Sequence, residues 1–243
     1  MSSQPGTAIV TGGSAGIGAS ICRSLLSQGY QVLNLSRRPY PDKHPDLHDI
    51  AVDLSDIEAT QTVADGIARD FSVTTLIHNA GVIRPALIES VTLEDVQHVS
   101  NIHLQAGILL LQAVLPTMKA ARFGRVVFVG SRAMLGLATR TAYAATKAGQ
   151  VGMVRTWAME LGIHGVTVNL VAPGPVVTDM FTDVIPEDSN QAERLAKSLP
   201  VKRLGQPDDV ARAVLFFASP DNGFITGQTL MVCGGASLGS LSL

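Results

Sequence analysis

The chain has 243 residues, 46% of them hydrophobic, and a formal net charge of −2. That length buries a sizeable core and is expected to form a single domain over 1–243. Charges of both signs are scattered with no basic run longer than "SRR", which argues against a nucleic-acid partner or a lipid surface. No uninterrupted apolar run reaches the ~18 residues of a membrane span. "MSSQPG" is too short and polar for a targeting peptide, so a cytoplasmic protein without a membrane partner is expected. Cys22 and Cys233 lie far apart and read as reduced thiols, and no metal site is expected.

The first predicted strand, "TAIV" from residue 7, runs into "TGGSAGIG" at 11–18, and a helix begins inside that stretch. Ile17, Ile21 and Leu25, with Cys22 and Leu26 beside them, give the helix one apolar face, and Gly29 closes it. Further strands are predicted at "QVLNL" from 31, "HDIAV" from 48, "TTLIH" from 74, "RVVFV" from 125, "VTVNLV" from 166 and "QTLMV" from 228. These runs are nearly continuous in Val, Ile and Leu, the pattern of strands buried on both faces of a parallel sheet. Strands alternating with helices predict an α/β fold with a doubly wound, Rossmann-like parallel sheet of about seven strands. Ligands of such sheets bind beyond the carboxyl ends of the strands. The segment 182–200, opening with "TDVIPEDSN", reads as a mobile excursion on the substrate side.

Gly12, Gly16 and Gly18 are placed to let a pyrophosphate approach backbone N–H groups at a helix N-terminus without Cβ interference. The end of the second strand should report on the adenosine ribose, and it reads "NLSRRP". Ser36, Arg37 and Arg38 suit a 2′-phosphate better than an acidic residue would, so NADP(H) is expected over NAD(H), which stays open as the second cofactor. Asp53, after the third strand, can accept from the adenine amino group or serve a helix N-terminus.

"YAATK" sets Tyr143 and Lys147 four apart on one helix face. A phenol with pKa ~10 needs a neighbouring cation to exchange protons near neutrality, and Lys147 can supply one. Ser131 follows the fifth strand, at the carboxyl edge where a nicotinamide would lie.

"TGGSAGIG", "HNAG" at 78–81, Ser131, "YAATK" and "PGPVVT" at 173–178 together resemble the short-chain dehydrogenase/reductase family in order and spacing. "RLGQPDDVARAVLFFASPDNGFITGQTLMVCGG" extends the resemblance over essentially the whole chain. The resemblance implies that Gly12, Gly16 and Gly18, with the backbone of Ser14, Ala15 and Ile17, hold the pyrophosphate. It places Asp53 and Leu54 at adenine, Asn79, Ala80 and Gly81 along the middle of the cofactor, and Pro173, Gly174, Val176 and Thr178 at the nicotinamide carboxamide. Tyr143 becomes the general acid in reduction and the base in oxidation, Lys147 lowers its pKa and binds the nicotinamide ribose, and Ser131 bonds the substrate oxygen. The implied activity is hydride transfer between the nicotinamide and a small-molecule carbonyl or secondary alcohol. A homo-oligomer, most often a tetramer, is implied through helices at about 99–121 and 142–162.

One departure stands out within "NIHLQAG": the helical position where the family carries a water-organising asparagine falls on His103. Asn101, two residues earlier, points about 200° away along a regular helix, so only a one-turn irregularity would restore it. His103 is therefore expected to hold the water of a proton relay and to titrate in the mildly acidic range. A 3-oxoacyl-thioester reductase and a non-catalytic cofactor-sensing protein are the competing readings. Arg122 favours the first as a carrier-protein docking residue, and His164 stands where a second arginine is expected. The substrate pocket is expected to draw on Arg84, Arg132, Met134, Leu135 and the stretch "MFTDVIPEDSNQAERLAKSLP" at 180–200, with Met180 and Phe181 among its apolar residues.

Overall fold

The computed structural model describes residues 6–183, 185–186 and 189–238. In chain order the elements are β1 Thr7–Thr11, α1 Gly16–Ser27, β2 Gln31–Ser36, β3 Leu47–Ala51, α2 Ile57–Asp70, β4 Val73–His78, α3 Leu93–Ser100 and α4 Ala106–Ala121. There follow β5 Gly124–Val129, α5 Thr141–Leu161, β6 Val166–Pro173, α6 Asp179–Thr182, α7 Asn190–Ser198, α8 Pro207–Ala218 and β7 Thr229–Val232. All seven predicted strands form, and they pair in parallel in the order β3-β2-β1-β4-β5-β6-β7. The strand order reverses between β1 and β4, which opens a crevice beyond their carboxyl ends.

Successive strand residues face opposite sides, so a continuous apolar run feeds two cores. Ile9, Val126 and Phe128 enter one core, under α2, α4 and α5. Ala8, Val10 and Val127 enter the other, under α1 and α8. Each fully buried Ile, Leu or Phe contributes about 1.5–3 kcal/mol through removal of its apolar surface from water. Gly107 lets α4 lie close to β5, since a Cβ there would come within 2.8 Å of the Phe128 ring.

Between α3 and α4 the helix widens into a π turn over Asn101–Gln105, where the Ala106 N–H reaches back to Asn101 O. Such a turn frees carbonyls from the i→i+4 ladder, and each must find another donor. His78 Nε2–H donates to Ile102 O at 3.0 Å, and Gln150 Nε2 donates to His103 O at 2.9 Å. Joined through this turn, Leu93–Ala121 is one 29-residue helix with a window of mean hydropathy 1.3. By length and composition it could cross a membrane, contrary to the expectation drawn from uninterrupted apolar runs. Here α4 packs on α2 and β4, and 44% of that window is buried inside the protein.

Of the expected excursion at 182–200, residues 184, 187 and 188 lie outside the described residues. The described part is largely helical: the Ser189 hydroxyl caps α7 by accepting from Ala192 N–H at 3.2 Å.

Candidate active site

A cavity of about 850 Å3 lies along the carboxyl ends of the strands and runs from Arg37 and Arg38 at one end to Arg132 and Arg140 at the other. Its floor is the turn between β1 and α1. Gly12 and Gly16 have φ of 67° and 51°, a left-handed backbone that glycine adopts without steric cost. A Cβ on Gly18 would clash with Gly12 O and stand 2.6 Å from Asn79 Nδ2. The α1 N-terminus has no side-chain cap and no acidic residue in its first turn, so its N–H groups are left for an anion. Ser14, Ala15 and Ile17 line the cavity beside these glycines.

The loop after β4 is tied down from below. Asn79 and Ala80 N–H groups both donate to Thr11 Oγ1 at 2.9 Å, and Asn79 Nδ2 reaches Thr11 O and Gly12 O at 3.1 and 3.2 Å. The Thr11 hydroxyl in turn donates to His78 Nδ1 at 3.2 Å. Burial holds His78 neutral, with its pKa brought down to about 4. Thr178 lies over the glycine turn, with its methyl 3.1 Å from where a Gly16 Cβ would stand. Pro173, Gly174 and Val176 complete that wall, and Gly174 is required there because a Cβ would meet Cys233 at 2.7 Å.

At the adenosine end two polar side chains are tied to protein partners while still lining the cavity. Ser36 is largely buried, and its hydroxyl donates to Asn34 Oδ1 at 2.8 Å. Asp53 Oδ1 accepts from the Ser55 N–H and hydroxyl at 2.9 and 2.7 Å, bonds that hold its carboxyl below the usual range. It thus orders the turn before α2 while still lining the cavity beside Leu54. Arg37 and Arg38 are exposed, and Arg38 stands 3.8 Å from Asp179.

The reacting end gathers Ser131, Tyr143 and Lys147 on one wall. Ser131 follows β5 and opens a short 3-10 turn over Arg132–Leu135, its oxygen accepting from Ala133 N–H at 3.1 Å. Tyr143 and Lys147 sit one turn apart on α5, with the ammonium 5.7 Å from the phenol ring centre. Lys147 is buried and donates to Val129 O at 2.8 Å; burial lowers its pKa to about 7. The Tyr143 phenol is pushed up, chiefly by burial, and the groups opposing this are the Ser131 hydroxyl and the Arg140 guanidinium. Lys147, expected to lower that pKa, points its ammonium at Val129 instead.

His103 is at the site but not in the expected way. Its Nε2 accepts from Val82 N–H at 3.1 Å, which places the proton on Nδ1, and Nδ1–H donates to Thr146 Oγ1 at 2.8 Å. With both nitrogens engaged by protein groups, neither is left to organise a water. Burial first and the Lys147 charge second push its pKa far below the ordinary imidazole value, so the expected titration in the mildly acidic range is withdrawn. The π turn supplies an irregularity where one was considered, yet Asn101 is not delivered to the lysine. Its side chain donates to Ser55 O at 2.9 Å and accepts from Gln97 and Gln105.

On the substrate side, Arg132, Met180 and Phe181 line the cavity as expected. Arg84 instead approaches Asp95 at 3.8 Å, Met134 packs into the core and Leu135 is 59% exposed. Ile185, Leu195 and Leu199 of the expected 180–200 stretch also line it, whereas sequence reasoning missed Arg140 and Leu137. Arg140 had a signal, since it stands three residues before Tyr143, within the same helical turn.

A family model described as enoyl-(acyl carrier protein) reductase matches residues 12–237. An acetoacetyl-CoA reductase of Rhizobium meliloti is 37% identical, with 94% of this chain and 97% of that protein covered. A (2S)-[(R)-hydroxy(phenyl)methyl]succinyl-CoA dehydrogenase subunit of Thauera aromatica is 36% identical over 98% of this chain and 99% of that one. Among solved structures, a Beutenbergia cavernae protein with NADP bound at low occupancy superposes with a TM-score of 0.86, at 33% identity over 96% of this chain and 97% of that one. A Burkholderia thailandensis oxidoreductase of the short-chain dehydrogenase/reductase family gives 0.88, at 31% identity over 98% and 95%. The glycine turn, the seven-stranded order and these whole-length matches agree: the chain belongs to the short-chain dehydrogenase/reductase family.

Proposed function

We propose that the protein is an NADP(H)-dependent oxidoreductase that interconverts a small-molecule carbonyl compound and its secondary alcohol. The observation that carries this reading is the placing of the Ser131 and Tyr143 hydroxyls on one cavity wall with Lys147 buried behind them. When bound, the cofactor supplies or accepts a hydride at its nicotinamide C4. The backbone at Gly12–Gly18 and the open α1 N-terminus bind its pyrophosphate, and Asn79, Ala80 and Gly81 border its middle. In reduction the Tyr143 hydroxyl donates its proton to the developing alkoxide, while the Ser131 hydroxyl hydrogen-bonds the same oxygen. Lys147, its pKa brought to about 7 by burial, places an amine able to gain or lose a proton behind these hydroxyls, and Pro173, Gly174, Val176 and Thr178 wall the nicotinamide side.

A 3-oxoacyl-thioester reductase is the second reading, favoured by the acetoacetyl-CoA and 3-oxoacyl-[acyl-carrier-protein] reductases among the relatives. Against carrier-protein docking through Arg122, its guanidinium bonds Ile163 O at 3.3 Å. A non-catalytic cofactor sensor loses its one support, because His103 has a positioning task. Both cysteines are free and buried, which fits a reducing cytoplasmic setting.

NADPH should be preferred to NADH because Arg37 and Arg38 flank the adenosine end without an acidic ribose partner. Exchanging either one for alanine is expected to weaken NADPH binding about 10- to 100-fold, from 1.5–3 kcal/mol per charged hydrogen bond, and to leave NADH nearly unaffected. Fluorescence titration decides, and equal weakening of both cofactors counts against the assignment.

Tyr143→Phe should lower kcat by roughly 10²–10⁴-fold, the scale of a lost general acid, while cofactor affinity holds. Lys147→Ala should damage turnover and affinity together. Near-normal reduction by the phenylalanine variant would require a different acid.

The homo-oligomer is retained as a proposal, a tetramer by family resemblance. Met159 at the end of α5 and Ile163 just beyond it are 78% and 75% exposed, apolar surface that a second copy would cover. Sedimentation at micromolar concentration should give a species of about four chains, and a monomer throughout would remove the proposal.

A further inference from the structure

The substrate end of the cavity contains two guanidinium groups. Arg132 immediately follows Ser131 and is half-buried, yet among the described residues it has neither an ion-pair partner nor a hydrogen bond from its side chain. A partly desolvated guanidinium with its donors unmet is unfavourable unless something anionic completes it. Arg140, also half-buried, lines the same cavity and stands three residues before Tyr143, close enough for its charge to act on that phenol.

Arg140 is held in place at a cost. Thr139 has φ of 64°, and a β-branched residue rarely adopts the left-handed region unless its surroundings enforce it. Two contacts do so. Ala86 N–H donates to Thr139 O at 3.0 Å, and Arg140 Nη1 donates to Thr139 Oγ1 at 2.6 Å. These fix one edge of the guanidinium and leave Nε and Nη2 unused among the described residues. The nearby Arg84 differs, because Asp95 stands 3.8 Å from it. The described acids lining the cavity, Asp53 and Asp179, belong to the cofactor end, where one is bonded to Ser55 and the other approaches Arg38.

We propose that Arg132 and Arg140 form an anion clamp at the substrate mouth, so that the preferred substrate is an oxo acid whose carboxylate lies a few bonds from the reacting carbonyl carbon. This rests on the hydride-transfer reading above, since Ser131 and Tyr143 fix where that carbonyl sits. Arg132 and Arg140 line the same cavity as Ser131 and Tyr143, so the clamp favours an anion carried close to the reacting carbonyl over one far along a substrate tail, such as the phosphates of a coenzyme A thioester. Two guanidinium groups lining one cavity can each take an oxygen of one carboxylate.

The test measures NADPH oxidation by the intact enzyme with matched pairs: 3-oxo and 4-oxo acids of four to eight carbons, their methyl esters, and acetoacetyl-CoA. The expected result is a kcat/KM for the acids about 10- to 100-fold above that for the esters, the size of one or two charge-assisted hydrogen bonds. Arg132→Gln and Arg140→Gln should each collapse that acid-to-ester ratio through KM for the acid. Arg132→Lys, which keeps the charge, should restore part of it. Esters used as well as acids would overturn the clamp and leave the oxidoreductase reading standing. So would a preference for the thioester that Arg132→Gln does not alter. No oxidation with any carbonyl compound, although NADPH binds, would overturn the hydride-transfer reading and the clamp with it.

Discussion

A neutral imidazole and a buried ammonium share the space between β4, β5 and α5, and the geometry of the site depends on how that contact is satisfied. His103 takes the Val82 N–H on one nitrogen and gives its proton to Thr146 on the other, so it joins the loop after β4 to the helix that carries Tyr143 and Lys147. Lys147 is held by Val129 O at the end of β5. Two cations side by side in that volume would repel each other, so the lysine charge and the neutrality of the histidine belong together. Gly81 lies against both: a Cβ there would stand 3.0 Å from His103 Nε2 and 3.7 Å from Lys147 Nζ.

The same contact lies at the π turn. The widened helix at Asn101–Gln105 carries the buried His103, and His78 and Gln150 donate to its Ile102 and His103 carbonyls. His78 also takes the Thr11 hydroxyl that fixes Asn79 and Ala80, so the π turn and the cofactor loop are braced by one chain of hydrogen bonds. Electrostatically the adenosine end is mixed, with Arg37 and Arg38 beside Asp53 and Asp179, whereas Arg132 and Arg140 on the substrate side have no acidic residue among the described lining residues.

The sheet was legible in the sequence because strands buried on both faces must be apolar at every position, and Ala8, Ile9 and Val10 do serve two cores. The glycine turn was legible because positive φ at Gly12 and Gly16 and close approach at Gly18 leave other residues little room. What was not legible depends on partners distant in sequence. Ser36 lines the cavity, but that Asn34 Oδ1 accepts from its hydroxyl could not be read from the string. His103 looked like a water ligand, and only the fold brings Val82 and Thr146 to its two nitrogens. Met134 and Leu135 looked like pocket residues, whereas the 3-10 turn after Ser131 sends one into the core and the other to solvent. The apolar length of Leu93–Ala121 was hidden because polar residues interrupt the string of letters without interrupting the helix.

The state of His103 is therefore the measurement that bears most directly on this account. Nitrogen-15 NMR of the histidine rings, with His103 assigned by its absence from a His103→Asn variant, reports protonation at each nitrogen separately. A neutral ring with the proton on Nδ1 is expected from pH 5 to pH 8, with no imidazolium signal even though Lys147 titrates at about 7 beside it, because burial opposes a second proton throughout. A His103 ring that becomes imidazolium with a midpoint near 6.5, the ordinary imidazole value, would contradict this account and return the residue to the proton path.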